Sequence, residues 1–193
     1  QRLRGVFPAP LAPMRDDLAI DLPRYLAHCH DLLAAGCDGL MPLGSTGEAH
    51  SFTVAERLAI MDALAESGLP MDRMLVGTSA LAFPDTVTLA RHATELGALG
   101  VCVQPPFYNK PVDDEGLFAF FARVIETVGD SRLRLYVYDW ESNIHVHHSL
   151  EMLGRLFDAF PDNAVGIKNS SGDQAMLEAR CRAFPHHEVF AGA

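Results

Sequence analysis

The chain has 193 residues, 49% of them apolar and 21% charged, the balance of a globular domain long enough to bury one sizeable core. Fifteen basic against twenty-five acidic residues leave a net charge of −10, with no Arg/Lys cluster to oppose it, so the reading excludes a nucleic-acid or anionic-membrane surface. No apolar run approaches the roughly 20 residues that span a bilayer, and the opening QRLRGVFPAPLAP is too short and too Pro-rich for a signal peptide.

In chain order, short runs rich in Val, Leu and Ile alternate with amphipathic stretches. GVFPA (5–9) reads as a first strand, 22–35 as a helix and DGLMPLG (38–44) as a second strand. Thr53 with Glu56 forms a capping-box signature, which opens a helix running to about Ser67. MLVGTS (74–79) is strand three, before a helix over 84–96; GVCVQPP (100–106) is strand four, before a helix over 114–128. LRLYVYD (133–139), a helix near 149–159, AVGIK (164–168), a helix near 173–183 and EVFAG (188–192) complete seven expected strands. The cysteines Cys29, Cys37, Cys102 and Cys181 form no Cys-x-x-Cys pair and lie mostly in apolar or helical stretches, as free thiols of a reducing cytoplasm do.

Strands of continuous apolar character separated by helices indicate a parallel sheet covered by helices. A doubly wound sheet usually carries a Gly-rich phosphate turn after its first strand, and VFPAPLAP has none. The expected fold is therefore α/β, a (β/α)8 TIM barrel. Polar, Gly-bearing clusters (GSTGE, GTSA, QPPFYNK, YDWES, KNSSG) sit at the C-terminal ends of the strands, where barrel active sites are built.

Lys110 and Lys168 are the only lysines among fifteen basic residues, and Lys168 ends an apolar run just before a polar loop. The neutral amine of such a lysine adds to a ketone to give a Schiff base; the plainer alternative is a side chain that snorkels to solvent or pairs with a carboxylate. Tyr138 ends strand five in the same way, as a proton relay beside Lys168 or as a core aromatic with a satisfied hydroxyl. Gly44-Ser45-Thr46-Gly47-Glu48 supplies two hydroxyls and several backbone N–H groups suited to a carboxylate, although turns of this composition are common. The loop 105–111 presents Tyr108 on a proline-stiffened turn.

On these residues the chain resembles the dihydrodipicolinate synthase and N-acetylneuraminate lyase superfamily of class I, Schiff-base-forming aldolases. The resemblance covers essentially all 193 residues, through V-F-P-A-P-L, Gly44-Ser45-Thr46-Gly47-Glu48, Pro106-Phe107-Tyr108-Asn109-Lys110-Pro111, Tyr138 and Gly166-Ile167-Lys168-Asn169-Ser170-Ser171-Gly172-Asp173. It implies a barrel whose Lys168 forms a Schiff base with pyruvate or another 2-oxo acid, with no metal or organic cofactor. Tyr138 is then the proton shuttle, Ser45 supports the relay, and Ser45, Thr46, Gly47 and Gly192 bind substrate. Tyr108 matches a tyrosine lent across a dimer interface, and the implied assembly is a homotetramer, a dimer of dimers, taking a 2-oxo acid and an aldehyde. Relatives run on through an eighth strand, so residues 1–193 are expected to form one barrel domain short of its last βα unit and C-terminal helices.

One departure bears on substrate. The synthases read Tyr-Asn-x-Pro-x-Arg after strand five, and the arginine grips a carboxylate; this chain reads Tyr138-Asp139-Trp140-Glu141-Ser142-Asn143. Asp139 and Glu141 are expected to repel an anionic partner at the mouth, which favours cleavage or dehydration of a hydroxylated 2-oxo acid. The alternatives are dihydrodipicolinate synthase proper, condensing pyruvate with aspartate semialdehyde, and a noncatalytic 2-oxo-acid-binding barrel. His145-Val146-His147-His148 and His28-x-His30 lack the spacing of a zinc helix and are read as solvated.

Overall fold

A computed structural model describes residues 4–192. Five parallel strands, β1 (Leu75–Gly77), β2 (Gly100–Val103), β3 (Leu135–Asp139), β4 (Ala164–Asn169) and β5 (Glu188–Ala191), pair strictly in sequence order. A doubly wound sheet reverses its strand order at a switch point; this one does not, as a barrel requires. The long helices α1 (Leu22–Ala34), α2 (Val54–Glu66), α3 (Phe83–Glu95), α4 (Asp114–Val128), α6 (Leu150–Ala159) and α7 (Gln174–Ala183) fall where the periodicity puts them. A four-residue helix α5 (Glu141–Ile144), which the sequence reading did not anticipate, follows β3.

Helix starts follow local chemistry. Glu56 N–H donates to Thr53 Oγ1 (3.2 Å) and Thr53 N–H to the Glu56 carboxylate (2.8 Å), the reciprocal box expected there. Asp21, Asp113, Ser149 and Asp173 accept backbone N–H groups at the starts of α1, α4, α6 and α7. Gly129, in the left-handed conformation, ends α4.

The seven expected strands become five strands and two extended segments. Residues 5–9 and 38–44 bond as ladder neighbours, with Asp38 N–H to Val6 O (3.0 Å), Met41 N–H to Pro8 O (2.8 Å) and Leu75 N–H to Leu40 O (2.9 Å). Only the bridge Leu40↔Met74 has regular parallel geometry. Pro8 and Pro42 have no N–H to give, and Leu43 takes a left-handed φ of 56°, so the pairing is one-sided there, with Gly77 N–H still donating to Pro42 O at 2.9 Å. The wall curves, and the Phe7 and Phe190 rings lie 5.2 Å apart in its interior.

Alternation along each strand separates an outer core, where strands meet helices, from a barrel interior built of Met41, Leu75, Cys102, Tyr136 and Tyr138. Gly166 is required by that interior: a Cβ there would lie 2.2 Å from Glu188 O and 2.9 Å from the Tyr136 ring. The ring crosses β4 at this point to hydrogen-bond the Glu188 carboxylate on β5, and burial together with that carboxylate holds the phenol's pKa well above its usual value. Gly166→Ala is expected to lower stability by about 1–3 kcal/mol through overpacking, read from the urea midpoint; an unchanged midpoint would show that the barrel relaxes around the methyl group.

Candidate active site

Tyr138 and Lys168 are register partners on the adjacent strands β3 and β4, each one residue before its strand ends. Parallel neighbours at one level of a barrel face the same interior, so pairing alone brings the side chains together. Lys168 Nζ lies 4.2 Å from the centroid of the Tyr138 ring, and the residues are 9% and 6% exposed. The snorkelling alternative does not describe this lysine. The Tyr138 hydroxyl is 3.4 Å from Ser45 Oγ, which the loop after the second extended segment carries inward. Leu43 and Glu48 both take left-handed backbone, and Glu48 N–H closes the turn on Ser45 O at 3.1 Å.

A space of about 680 Å³ runs from Lys168 and Tyr138 between the two edges of the wall, residues 4–9 on one side and 188–192 on the other, with Ser45, Thr46, Trp140 and Ser170 also on its border. Gly192 donates to Asn169 O (2.6 Å), and a Cβ there would run into Ser170 Oγ at 2.2 Å. Gly47 packs behind the loop against the Pro10 carbonyl and does not border that space. Tyr108 is 77% exposed on the loop after β2 and is not brought to Lys168 within this chain. Of the residues singled out, Lys168, Tyr138, Ser45, Thr46 and Gly192 therefore share one cavity, and Gly47 and Tyr108 do not.

The acidic mouth expected from Asp139 and Glu141 is corrected by the structure. Asp139 follows Tyr138 on a pleated strand and so turns to the opposite face, where it is fully buried and ion-paired to Arg180 of α7. Its carboxylate also lies 3.2 Å from His148 Nδ1 and accepts from Asn169 Nδ2 at 3.4 Å. Glu141 pairs with His147 at 2.9 Å. Neither carboxylate borders the cavities at the strand ends.

The sequence reading missed His50 and Gln104, which border the site. Trp140, which it placed at the mouth, stacks on Tyr138, with centroids 6.1 Å apart and planes 11° apart, and borders the same space. Cys102 shares the interior beneath Lys168; burial pushes its thiol up to about 12 although Lys168 pulls it down, so it is a packing group, not a nucleophile. A second chamber of about 400 Å³ opens on the other side of Ser45 and Trp140 and is bordered by His50, Gln104, Lys110 and Asn143. Among the described residues no three His, Cys, Asp or Glu side chains gather as a metal site, and no helix is long and apolar enough to cross a membrane.

The chain matches the Dihydrodipicolinate synthetase family over residues 2–193. It is 30% identical over 98% of its length to an uncharacterized DapA-like lyase of Chloroflexus aurantiacus, and spans 63% of that relative. The crystal structure of dihydrodipicolinate synthase from Agrobacterium tumefaciens superposes with a TM-score of 0.91 at 31% identity, covering 96% of this chain and 65% of the synthase. A prophage protein of the dihydrodipicolinic acid synthase family from Escherichia coli K12, solved in complex with pyruvate, superposes with a TM-score of 0.86 at 29% identity over 97% of this chain and 63% of its own.

Proposed function

The chain belongs to the dihydrodipicolinate synthetase family, and from that premise we propose that it carries the reacting groups of a Schiff-base-forming carbon–carbon lyase or aldolase acting on pyruvate or a hydroxylated 2-oxo acid. The observation that supports the reading best is the inward-facing pair Lys168 and Tyr138, with Ser45 in reach of the phenol.

Lys168, as the free amine, adds to the C2 ketone; the carbinolamine loses water and becomes an iminium. The iminium draws the electron pair of the C3–C4 bond into an enamine as an aldehyde leaves, and the same enamine attacks an aldehyde in the synthetic direction. Tyr138 and Ser45 relay the C4 hydroxyl proton away and return a proton to C3. Water then hydrolyses the iminium and restores Lys168. Thr46 and the loop N–H groups around it, with Gly192 across the space, hold the carboxylate whose charge persists throughout. The covalent iminium itself is the electron sink, so the chemistry needs no metal or organic cofactor.

In this reading Tyr108, exposed here, reaches the site of a neighbouring copy in a dimer of dimers, and the buried free thiols Cys29 and Cys102 suit a reducing cytoplasm. A second reading, dihydrodipicolinate synthase proper, gains from the burial of Asp139, which removes one negative charge from the mouth, and from Lys110 on the second chamber.

The test is exchange of pyruvate C3 protons into deuterium oxide, followed by NMR on the complete natural protein. Wild type is expected to exchange, and Tyr138→Phe to slow exchange by about 100-fold or more. Binding of pyruvate without exchange would favour the noncatalytic barrel, and full exchange in the phenylalanine variant would remove Tyr138 from the mechanism.

A further inference from the structure

Trp140 follows β3 directly and, two residues beyond Tyr138, returns to the same face of the chain, so the period of two that sends Asp139 outward brings the indole back to the barrel interior. There it lies parallel to the Tyr138 ring, with 11° between planes and 6.1 Å between centroids, inside the range of roughly 4.5–7 Å that offset-stacked aromatic pairs favour. Three contacts converge on one phenol: Lys168 Nζ over its ring at 4.2 Å from the centroid, Ser45 Oγ 3.4 Å from its hydroxyl, and the stacked indole.

The backbone of Trp140 is fixed as well. Its carbonyl accepts from Asn143 N–H (2.9 Å) and Ile144 N–H (3.0 Å), which makes it the N-cap of α5, and His145 N–H closes the turn on Glu141 O at 2.8 Å. Ile144 and Val146 are buried and fasten that turn to the core, while Asp139 on the other side is fastened to Arg180. An N-cap is usually Ser, Thr, Asp or Asn, whose side-chain oxygen accepts an N–H of the first turn. An indole only donates, and no side-chain cap forms here. The tryptophan side chain thus does nothing for its own helix; its ring lies on Tyr138 instead.

We propose that Trp140 is a positioning residue for proton transfer: its indole fixes the tilt of the Tyr138 ring and so keeps the hydroxyl between Ser45 and the carbon that gains or loses a proton on the Lys168 imine. The hydroxyl sits at the far end of a rigid ring, so a small tilt at Cβ is magnified at the oxygen, and a misplacement of about 1 Å costs on the order of 100-fold in rate. The extent of imine formation at equilibrium does not depend on that tilt, since a proton relay speeds formation and hydrolysis alike. The inference rests on the Schiff-base reading above.

The test measures exchange of pyruvate C3 protons into deuterium oxide in the complete natural protein, alongside the pyruvate concentration for half-maximal borohydride trapping on Lys168, with circular dichroism as the check on fold. Trp140→Leu is expected to slow exchange by about 10-fold or more while half-maximal trapping stays within about twofold of wild type. Trp140→Met carries the test if the leucine variant does not fold. Trp140→Phe keeps a flat ring to stack and is expected to hold exchange within about threefold of wild type. In a Tyr138→Phe background, Trp140→Leu is expected to slow the remaining exchange by less than about twofold, because no hydroxyl is left to position. An equal loss in both backgrounds overturns the inference, and so does a folded leucine variant that exchanges at the wild-type rate or whose trapping falls in step with exchange. Trp140→Phe as slow as Trp140→Leu overturns the stacking role. Each of these results leaves the Schiff-base reading standing, whereas no adduct in wild type overturns both.

Discussion

Lys168→Ala is expected to leave no measurable turnover, and wild type treated with pyruvate and borohydride to gain one reduced pyruvyl adduct on Lys168 that the variant lacks. The effect is total because the amine is a reactant: without it no iminium forms and nothing stabilises charge at C3. Arginine in its place fails for the same reason, since a guanidinium keeps its proton. Loss of fold is a smaller concern than loss of chemistry, because alanine takes away only a polar side chain beside the Tyr138 ring and leaves room for water. Mass spectrometry of the trapped protein checks the assignment directly. An adduct that persists in Lys168→Ala would place the nucleophile elsewhere, and turnover that persists without any adduct would end the Schiff-base reading.

Much of this site was legible in the sequence because its parts are local. A lysine at the end of an apolar run, a tyrosine at the end of the preceding run and a Ser-Thr loop become neighbours once strands pair in order, and the strand order is what the βα rhythm specifies. Helix limits were legible from caps such as Thr53 with Glu56, whose bonds span three residues. The contact of His50 with Gln104 spans 54 positions and has no local signature. Strand lengths at 5–9 and 38–44 were overestimated because apolar character outlasts the ladder that proline interrupts. The direction of Asp139 was legible and misread: with Tyr138 facing inward, a period of two sends the next residue to the helix layer, and residue type alone does not settle where a charge goes.

That outward turn sets up the largest expected loss of stability. Asp139 on β3 and Arg180 on α7 are ion-paired with both side chains almost fully buried, and Arg180 reaches on to His148 O at 3.4 Å. Burial alone pushes the guanidinium's pKa down and Asp139 draws it back up, so each charge is tolerated there chiefly because of the other. Arg180→Met keeps most of the apolar stem but leaves the Asp139 carboxylate buried without its guanidinium partner, and is expected to destabilise by about 3–5 kcal/mol. For a chain of this size that is a fall in Tm on the order of 10 °C. Asp139→Leu combined with Arg180→Met removes both charges and is expected to recover most of the loss, the signature of an unpaired charge as opposed to lost packing. Denaturant unfolding of the two single variants and the double variant closes the cycle. If the double variant is no more stable than Arg180→Met, the pair is not what joins α7 to β3, and the packing of Arg180 beneath His148 must do so instead.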